Sequence, residues 1–356
     1  MTRAYLATSI HGREEALATL TAALDGEGPR TVLLVGEAGI GKSRLAGWAA
    51  ERAGGAGRVV VEGRAVLGFS EAVGVLCDAV RSARRDGLAP REALPAMLLP
   101  ELGGGAGPES LGAVYEGAAA YLRALAGHRG ALLVLEDLHW ADPASLRLVP
   151  FLAGALARDP VTVVVTTRPD EGAAPVLAEV REALARSGVA LEIPLGPLAP
   201  EAASAMLAEV LGGPPAPTVE AELLRLAGGN PFALEELARA AAESTWIEDP
   251  AGSGRSLGLP FTLTDAIRAR AAALDPGDRE LLAWAAVLGE CFDARALGVL
   301  ADADAGDGLS RLSAAGLVAA DEADPANQGF AFRHALVWEV IAAEGLTARR
   351  RDREHR

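Results

Sequence analysis

The only lysine of the chain, Lys42, stands in the segment GEAGIGKS, and every other basic residue among the 33 Lys and Arg is an arginine. The segment fits the pattern G-x-x-x-x-G-K-S, in which Gly36 and Gly41 let backbone N–H groups turn inward around phosphates. A lysine ammonium is a compact, mobile charge that reaches the β- and γ-phosphates, whereas the planar guanidinium of arginine fits so tight a loop poorly. A glycine-rich turn that only resembles this pattern is the alternative. The segment predicts a phosphate site at a helix N-terminus, with the Ser43 hydroxyl available to Mg²⁺.

Two acids, Glu136 and Asp137, close the apolar run ALLVLED. At the end of a buried strand, one carboxylate would hold Mg²⁺ through water and the other would polarise the water that attacks the terminal phosphate. Ser43 and Glu136 are assigned as the metal ligands, although the pattern leaves open which acid takes which role. The competing role for such acids, capping a helix, fits Asp142 better, because Asp142 directly precedes Pro143.

A cation, Arg168, follows another apolar run, VTVVVTT. At a strand end beside the phosphates Arg168 would sense the γ-phosphate, whereas on spacing alone a surface arginine before a proline turn fits nearly as well. Glu136, Asp137 and Arg168 form the predicted catalytic set. His139 and Trp140 are interpreted as packing residues at the corner after the acids, with His139 kept as a secondary site candidate.

Five β-rich runs carry or flank these residues, and helical patterns separate them. Each run is nearly continuous in apolar residues, as in parallel strands that are covered on both faces. The alternation of strand and helix predicts an open, doubly wound parallel sheet of the α/β class, whose ligands lie beyond the carboxyl ends of its strands. The runs are TVLLV, RVVVEG, ALLVLED, VTVVVTT and ALEIPL, and helices are expected over 42–53, 71–86, 109–127, 143–157 and about 173–187.

Beyond PLGPLAPEA the strand patterns give way to helices. A helical lid is expected over 197–250 and a Gly/Pro/Ser-rich linker over 251–259. Four helical patterns and two short strands predict a winged-helix-like domain over 260–346. Residues 347–356 would form a basic tail or the start of a truncated helix. With a P-loop nucleotide-binding domain over 1–196, these segments are the predicted domains.

Composition excludes several classes of function. At 356 residues, 50% of them hydrophobic, the chain is long enough to form two or three domains with their own cores. The formal net charge of -15 argues against a broad nucleic-acid surface. No apolar run approaches the roughly 18 residues of a membrane span, and Cys77 and Cys291 match no metal spacing. The expected location is the reducing cytoplasm, without membrane contact.

Taken in order, these motifs resemble the ATPase module of the STAND class of P-loop ATPases, and most of all that of large LuxR-type bacterial transcriptional regulators. The resemblance runs over about residues 10 to 345, through HGREEAL, LLVGEAGIGKSRL, LLVLEDLHWADPASLRL, VVVTTRP, AGGNPFALEEL and FAFRHALV. It implies a P-loop NTPase fold with a helical lid and a winged helix, and ATP or ADP with Mg²⁺ as ligands. The C-terminal helix-turn-helix of such regulators is not expected within this sequence.

The resemblance also implies roles for single residues. Gly12 and Arg13 would lie against the nucleotide base, and Pro231, after Asn230, would pack on adenine. His334 would reach the β-phosphate of bound ADP. If the family resemblance is set aside, GGNPF is interpreted as a helix-breaking turn, and His334 is interpreted as a polar residue that begins a helix. The set assigned to nucleotide binding is Gly12, Arg13, Gly36, Gly39, Ile40, Gly41, Lys42, Ser43, Arg44, Pro231 and His334.

The implied function is a nucleotide-operated switch with slow ATPase activity in transcriptional regulation. ADP would hold the closed state and ATP would free a surface for self-association, in response to an unknown inducer. Because Glu136 stands where such proteins usually have Asp, the motif does not fix the hydrolysis rate. One alternative is a DNA-binding ATPase similar to origin-recognition and loader proteins. The charge of the C-terminal region argues against DNA binding, because the segment from Pro260 to Val340 has thirteen Asp and Glu but only six Arg. The other is a scaffold that binds nucleotide only for folding. DNA contact is not expected through this chain itself.

Overall fold

The computed structural model describes residues 9–65, 73–85, 110–169, 175–243, 263–301, 305–320, 329–334 and 336–343. The linker expected over 251–259 and the tail expected over 347–356 lie outside the described residues. The chain divides into two compact units. We call Arg13–Glu37 with Gly41–Gly196 the sheet unit, and Met1–Gly12 with Ala38–Ile40 and Pro197–Arg356 the helical unit.

Five parallel strands form the centre of the sheet unit. They lie in the order β2-β3-β4-β1-β5, and each adjacent pair is parallel. Strands β1 and β4 are buried along their whole length, because leucine and β-branched side chains fill both faces. This confirms the predicted five-stranded parallel sheet. The strands are β1 (Thr31–Gly36), β2 (Val59–Arg64), β3 (Ala131–Glu136), β4 (Val161–Thr167) and β5 (Ala190–Leu195).

Helices precede and connect these strands. Helix α5 begins as the sequence predicts: Asp142 accepts hydrogen bonds of 2.9 Å from the backbone N–H groups of Ala144 and Ser145, and Pro143 is the first helical residue. Such a cap contributes about 1 kcal/mol to helix stability. The helices of this unit are α1 (Glu14–Asp25), α2 (Lys42–Gly55), α3 (Gly74–Arg85), α4 (Leu111–Ala126), α5 (Pro143–Ala155) and α6 (Pro175–Ser187).

The strand register decides which side chains meet at the carboxyl edge of the sheet. Arg64, the last residue of β2, pairs with Glu136, the last residue of β3. Val35 near the end of β1 pairs with Thr167, the last residue of β4. Because all the strands run in one direction, the residues that follow β1, β3 and β4 emerge at the same edge.

The helical unit contains two apolar cores. Helices α7 (Pro200–Leu211), α8 (Pro217–Ala227) and α9 (Pro231–Glu243) pack around Leu207, Leu223 and Leu234, which are fully buried. The second core forms among the later elements and includes Phe232 of α9. Those elements are α10 (Leu263–Ala273), α11 (Pro276–Leu288), β6 (Cys291–Asp293), α12 (Ala294–Ala301), α13 (Gly306–Ala314), β7 (Val318–Ala320), β8 (Gly329–Phe332) and a helical segment over 336–343.

The second core contains one strand more than the sequence predicts. Strands β7 and β8 correspond to the two expected short strands, and β6 is added to them in an antiparallel sheet of order β6-β8-β7. The segment Cys291–Asp293 has three residues, too few to show an alternating pattern. Its pairing partner, β8, comes from a much later part of the chain, so no local pattern indicates the pairing.

Candidate functional site

The loop between β1 and α2 carries the glycine-rich segment. Gly39 and Gly41 have φ angles of 78° and 104°, in the left-handed region that residues with a Cβ seldom adopt. Lys42 is 7% exposed, and its Nζ donates hydrogen bonds of 2.8 Å to the carbonyl oxygens of Gly36 and Glu37. These bonds hold the ammonium at the N-terminus of a 14-residue helix, where the backbone also favours an anion.

The other predicted loop residues differ in exposure. The Ile40 side chain is buried, whereas Ser43 and Arg44, in the first turn of α2, are exposed. The tip of the loop, Ala38–Ile40, belongs by its contacts to the helical unit. The loop therefore offers a buried cation followed by an accessible hydroxyl, which is the pair of groups that a metal-bound phosphate requires.

The acid pair lies at the turn that follows β3. Asp137 has φ 55° and ψ 41°, a left-handed conformation, and its backbone N–H donates a 2.9 Å hydrogen bond to the Thr166 hydroxyl of β4. The Asp137 side chain is buried, and burial raises its pKa, with Glu136 adding to the rise. Arg64, Lys42 and Arg168 oppose that rise, which places three cations close enough to act on one carboxylate.

Arg64 completes the acid cluster, and the sequence reasoning missed it. Its Nη2 lies 2.9 Å from Oε2 of Glu136, and its Nε lies 3.6 Å from Oδ2 of Asp137. The register explains this contact, because Arg64 and Glu136 are opposite each other in the β2–β3 ladder. The predicted run RVVVEG stops one residue short of Arg64. The sequence does show a cation at the end of β2. Its contact with the acids can be predicted only when it is known that β2 and β3 are neighbours in the sheet.

Arg168 is buried at the same edge, with 5% of its surface exposed. The surface-arginine interpretation is therefore wrong. Its Cζ lies 5.5 Å from the centroid of the Trp140 ring, a distance that allows a cation–π contact. The burial of Arg168, whose charge acts on Asp137, is compatible with the predicted phosphate-sensing role and leaves that role a prediction.

His139 stands in the turn after the acid pair and packs on its neighbour. Its ring centroid is 4.7 Å from that of Trp140. The residue is 9% exposed, and neither ring nitrogen has a hydrogen-bond partner among the groups that the structure describes. Burial above all, and then the charges of Arg168 and Lys42, lower the pKa of His139 to about 3. The ring is therefore neutral at physiological pH.

The residues assigned to the base, Gly12 and Arg13, fall in different units. In the sheet unit, Nη2 of Arg13 donates a 2.7 Å hydrogen bond to the Gly196 carbonyl, and burial lowers the pKa of Arg13. In the helical unit, Gly12 has φ 62°, and a Cβ at this position would lie 2.6 Å from Cβ of Ala202. A glycine is therefore required at position 12 by both conformation and space.

Within the helical unit, the segment Asn230–Phe232 contacts the tip of the glycine-rich loop. The Asn230 side chain donates a 2.9 Å hydrogen bond to the Ala38 carbonyl, and its Oδ1 accepts one of 3.2 Å from the N–H of Ala233. The Phe232 backbone N–H donates to the Gly39 carbonyl at 3.3 Å. Asn230 thus caps α9 and at the same time holds the loop tip.

Phe232 also joins this segment to His334. Their rings stack with centroids 4.0 Å apart and planes at 18°. Nδ1 of His334 accepts a 3.1 Å hydrogen bond from the N–H of Leu336, so the neutral ring carries its proton on Nε2. Pro231 is the first residue of α9, between the loop-binding Asn230 and the ring of Phe232. Two assigned residues, Pro231 and His334, therefore lie within one connected set of contacts.

The oxygen donors at this edge of the sheet can be compared with the ligands that Mg²⁺ prefers. This ion prefers oxygen ligands and is usually held by one or two carboxylates together with substrate phosphates. Within the described ranges no group of three or more His, Cys, Asp or Glu could hold a metal by itself. The Ser43 hydroxyl and the Glu136 carboxylate supply the right donors, and a nearby cation would favour the ionised form of the buried Asp137. The residues fit Mg²⁺ that arrives with a nucleotide.

Comparison with known proteins supports the same kind of site. The family model of the AAA ATPase domain matches residues 9–165, which include the glycine-rich loop and the acid pair. No curated protein sequence matches the chain. In the part of the chain that the structure describes, no helix is both long enough and apolar enough to cross a bilayer.

The comparison with solved structures found one protein with a TM-score above 0.5 among those described next. A STAND protein with a tetratricopeptide repeat sensor from Pyrococcus horikoshii matches with a TM-score of 0.55 and 16% identity, over 95% of this chain and 43% of that one. The chain thus spans less than half the length of that protein. The Aeropyrum pernix ORC1 protein, solved in complex with DNA, matches with a TM-score of 0.44 and 18% identity, over 96% of this chain and 94% of that one. The family match supports a P-loop domain of the AAA ATPase type over residues 9–165, and the STAND protein shows a shared fold.

Proposed function

We propose that the chain is a switch operated by adenine nucleotides and the nucleotide-sensing module of a LuxR-type transcriptional regulator. It binds ATP and ADP with Mg²⁺ and hydrolyses ATP slowly. The observation that carries this proposal is the buried Lys42 ammonium, held at the N-terminus of α2 by two loop carbonyls. The family match over 9–165 supports ATP as the nucleotide. The regulatory role rests on the ordered resemblance of the motifs to those of LuxR-type regulators.

The proposed chemistry divides among residues of the sheet unit. Lys42 would bind the β- and γ-phosphates, Ser43 and Glu136 would hold the metal, and Asp137 would orient the attacking water. Bound Mg²⁺ would neutralise charge on the phosphates. Arg168, a buried cation whose charge acts on Asp137, would respond to the γ-phosphate. Slow turnover is expected because Arg64 already engages the carboxylate of Glu136 at 2.9 Å.

The proposed switch uses contacts within the helical unit. Residues 197–250 would act as the lid and 260–346 as a winged-helix-like domain. A nucleotide that changes the conformation of the loop tip would alter the hydrogen bonds that Asn230 and Phe232 make to Ala38 and Gly39. Phe232 would pass that change to His334 through their stacked rings. A ligand shifts such an equilibrium only when it contacts the two states differently. Gly12, Arg13 and Pro231 are proposed to contact the base, and the ATP state to self-associate.

The test is nucleotide retention and affinity. The nucleotide that co-purifies with the full chain is released by denaturation and identified by chromatography, and we expect ADP. Affinities for ADP and ATPγS are then measured by fluorescence titration for the wild type and Lys42→Ala. Loss of the charge-assisted bonds to phosphate, about 1.5–3 kcal/mol, should weaken both ligands roughly tenfold or more.

Arg52→Ala is the matched control. Arg52 is a cation on the same helix, its side chain is 45% exposed, and its Cζ lies 5.7 Å from the centroid of the Trp48 ring. This change removes one positive charge from α2 without touching the loop, so affinity should stay within twofold of the wild type. A folded Lys42→Ala protein that binds both nucleotides as tightly as the wild type would refute the proposal.

The alternatives predict different results. A DNA-binding ATPase would bind duplex DNA with an affinity that falls steeply as salt rises. A scaffold that uses nucleotide only for folding would show no turnover, and substitution of Glu136 would leave its ligand state unchanged. The acidic excess between Pro260 and Val340 speaks against the first of these.

A further inference from the structure

Asp142, which caps α5, also holds the start of a second helix. Its Oδ1 accepts hydrogen bonds of 2.9 Å from the N–H groups of Ala144 and Ser145, at the start of α5. Each of its carboxylate oxygens accepts a further bond of 3.2 Å, from the N–H groups of Val73 and Gly74, where α3 begins. Two helix N-termini, each with N–H groups that lack a partner within the helix, therefore share one acidic side chain.

The backbone of Val73 indicates that this junction is imposed on the chain. Val73 has φ 58°, in the left-handed region that β-branched residues rarely adopt. Such a conformation persists only where the surroundings enforce it, and it is found mainly at functional sites. The Val73 carbonyl accepts 3.0 Å bonds from the N–H groups of Leu76 and Cys77, so the strained residue is the first anchor of α3. Asp142 therefore decides where α3 begins.

Helix α3 in turn fixes the end of strand β2, where Arg64 lies. A Cβ at Gly63 would lie 2.3 Å from the Val75 carbonyl oxygen and 2.9 Å from Cβ of Ala79, so β2 and α3 are in direct backbone contact. Oδ2 of Asp78, in α3, accepts a 2.9 Å hydrogen bond from the Arg64 N–H. Because β2 is an edge strand, α3 takes the place of a further strand in holding it.

We propose that Asp142 is a positioning residue that acts through α3 and Arg64, and so sets the Mg²⁺ requirement of nucleotide binding. This inference rests on the proposed function, in which Glu136 holds the metal. The Arg64 guanidinium contacts the carboxylates of Glu136 and Asp137, so a firmly held Arg64 competes with Mg²⁺ for them. The path from Asp142 to the acids consists of hydrogen bonds and packed backbone within the sheet unit.

The test separates the two caps that Asp142 provides. Asp142→Asn keeps an oxygen for α5, since asparagine caps as well as aspartate, but places an NH₂ group against the Gly74 N–H. A loosened Arg64 competes less well for the acids. The Mg²⁺ concentration that half-saturates ATPγS binding by the full chain should therefore fall roughly two- to threefold. In the Arg64→Met background the same substitution should leave that concentration unchanged.

A second variant tests the path at its other end. Asp78→Ala removes the acceptor of the Arg64 N–H and should lower the Mg²⁺ requirement in the same way, only when Arg64 is present. Asp293→Asn is the matched control, because Oδ1 of Asp293 accepts from the N–H groups of Arg295 and Ala296 at the start of α12, in the helical unit. It should leave the Mg²⁺ requirement unchanged.

Thermal unfolding without nucleotide or metal gives a second readout. Asp142→Asn removes a bond at the start of α3 whichever residue stands at position 64. It should therefore lower the melting temperature by a similar amount in the wild type and in Arg64→Met. A loss of stability in both backgrounds, with an Mg²⁺ effect in only one, separates a positioning residue from a residue that only stabilises the fold.

The outcomes distinguish this inference from the proposed function. A wild-type chain that binds no ATPγS at any Mg²⁺ concentration refutes the proposed function and this inference with it. A wild-type chain that binds ATPγS with Mg²⁺, and whose Mg²⁺ requirement is the same in folded Asp142→Asn or Asp78→Ala, refutes this inference alone. An equal shift with and without Arg64 also refutes it, because Asp142 would then act by another route.

Discussion

At the scale of single residues, Arg64 is the group that most alters the chemistry expected of the acid pair. Its guanidinium contacts the carboxylates of both Glu136 and Asp137, at 2.9 Å and 3.6 Å. A cation at this position satisfies the carboxylates and also competes for them with any metal ion. When Arg64 contacts the two carboxylates, these acids are therefore less available to bind a metal ion.

Arg64→Met should make the chain bind Mg²⁺ more readily. Methionine keeps much of the apolar stem and removes the charge that repels a second cation. The Mg²⁺ concentration that half-saturates ATPγS binding is expected to fall roughly fivefold, the change produced by about 1 kcal/mol of relieved repulsion. Arg129→Met, at an exposed arginine of the same unit, should leave the Mg²⁺ titration unchanged. A higher Mg²⁺ requirement in Arg64→Met would show that Arg64 positions the acids instead of competing for them.

At the scale of elements, Asn230 connects the start of α9 to the loop tip. Its Oδ1 caps the helix by accepting from Ala233, and its amide donates to the Ala38 carbonyl. These two bonds can be separated by substitution. Aspartate is as good a cap as asparagine, but it places an oxygen against the Ala38 carbonyl.

Asn230→Asp is expected to release ADP roughly tenfold faster, since an unpaired or repelled carbonyl costs about 1–3 kcal/mol. Its melting temperature should fall less than that of Asn230→Ala, because the cap acceptor is retained. Asn230→Ala should lose the loop contact and the cap together, and with them about 1 kcal/mol of stability. Stopped-flow displacement of a fluorescent ADP measures the release rate. Wild-type release from both variants would mean that the loop contact does not couple to nucleotide.

An ion pair ties α11 to α13 in the second core of the helical unit. Nε and Nη2 of Arg311 each lie 2.7 Å from a carboxylate oxygen of Asp278. The Asp278 side chain is 7% exposed, whereas that of Arg311 is 57% exposed. The hydrogen bonds from Arg311 lower the pKa of Asp278. The pair therefore favours the ionised carboxylate in the folded state.

Arg311→Ala should lower the melting temperature by a few degrees at pH 7, because it leaves a buried carboxylate without its partner. A lowered folded-state pKa stabilises the fold above the unfolded value of about 3.9, and this stabilisation is lost as the pH falls below it. The difference between variant and wild type should accordingly shrink below about pH 4. Differential scanning fluorimetry between pH 3 and 8 measures it. Arg295→Ala, at an exposed arginine of α12, should match the wild type throughout.

At the scale of the whole molecule, the elements whose signal is local were predictable and those that depend on pairing were not. The five parallel strands agree with the expected apolar runs to within one or two residues, and burial on both faces makes the runs of β1, β3 and β4 continuous. Strand β6 was missed because three residues carry no period. The contacts of Arg64 depend on the strand register, and the burial of His139 depends on the folded chain. Neither can be read from the residues around them.

Glu136→Gln should hold the chain in its ATP state. A neutral amide is a poor ligand for the metal that the proposed hydrolysis needs, so hydrolysis is expected to fall about 100-fold or more. With ATP and Mg²⁺ the variant should elute as a larger assembly for hours, while the wild type returns to its ADP form. Light scattering coupled to size exclusion measures the mass. Glu116→Gln, at an exposed acid of α4, is the control. A monomer in every nucleotide state would contradict the proposed self-association.

The arginine-only composition outside the glycine-rich loop has a practical consequence. Acylating reagents that attack primary amines find one side-chain target, Lys42, besides the α-amino group of the chain. That amine is 7% exposed and bonded to two carbonyls, so it would react only when the loop opens. The fraction of chains carrying a single label, read by mass spectrometry, would then report occupancy of the phosphate pocket without any engineered probe.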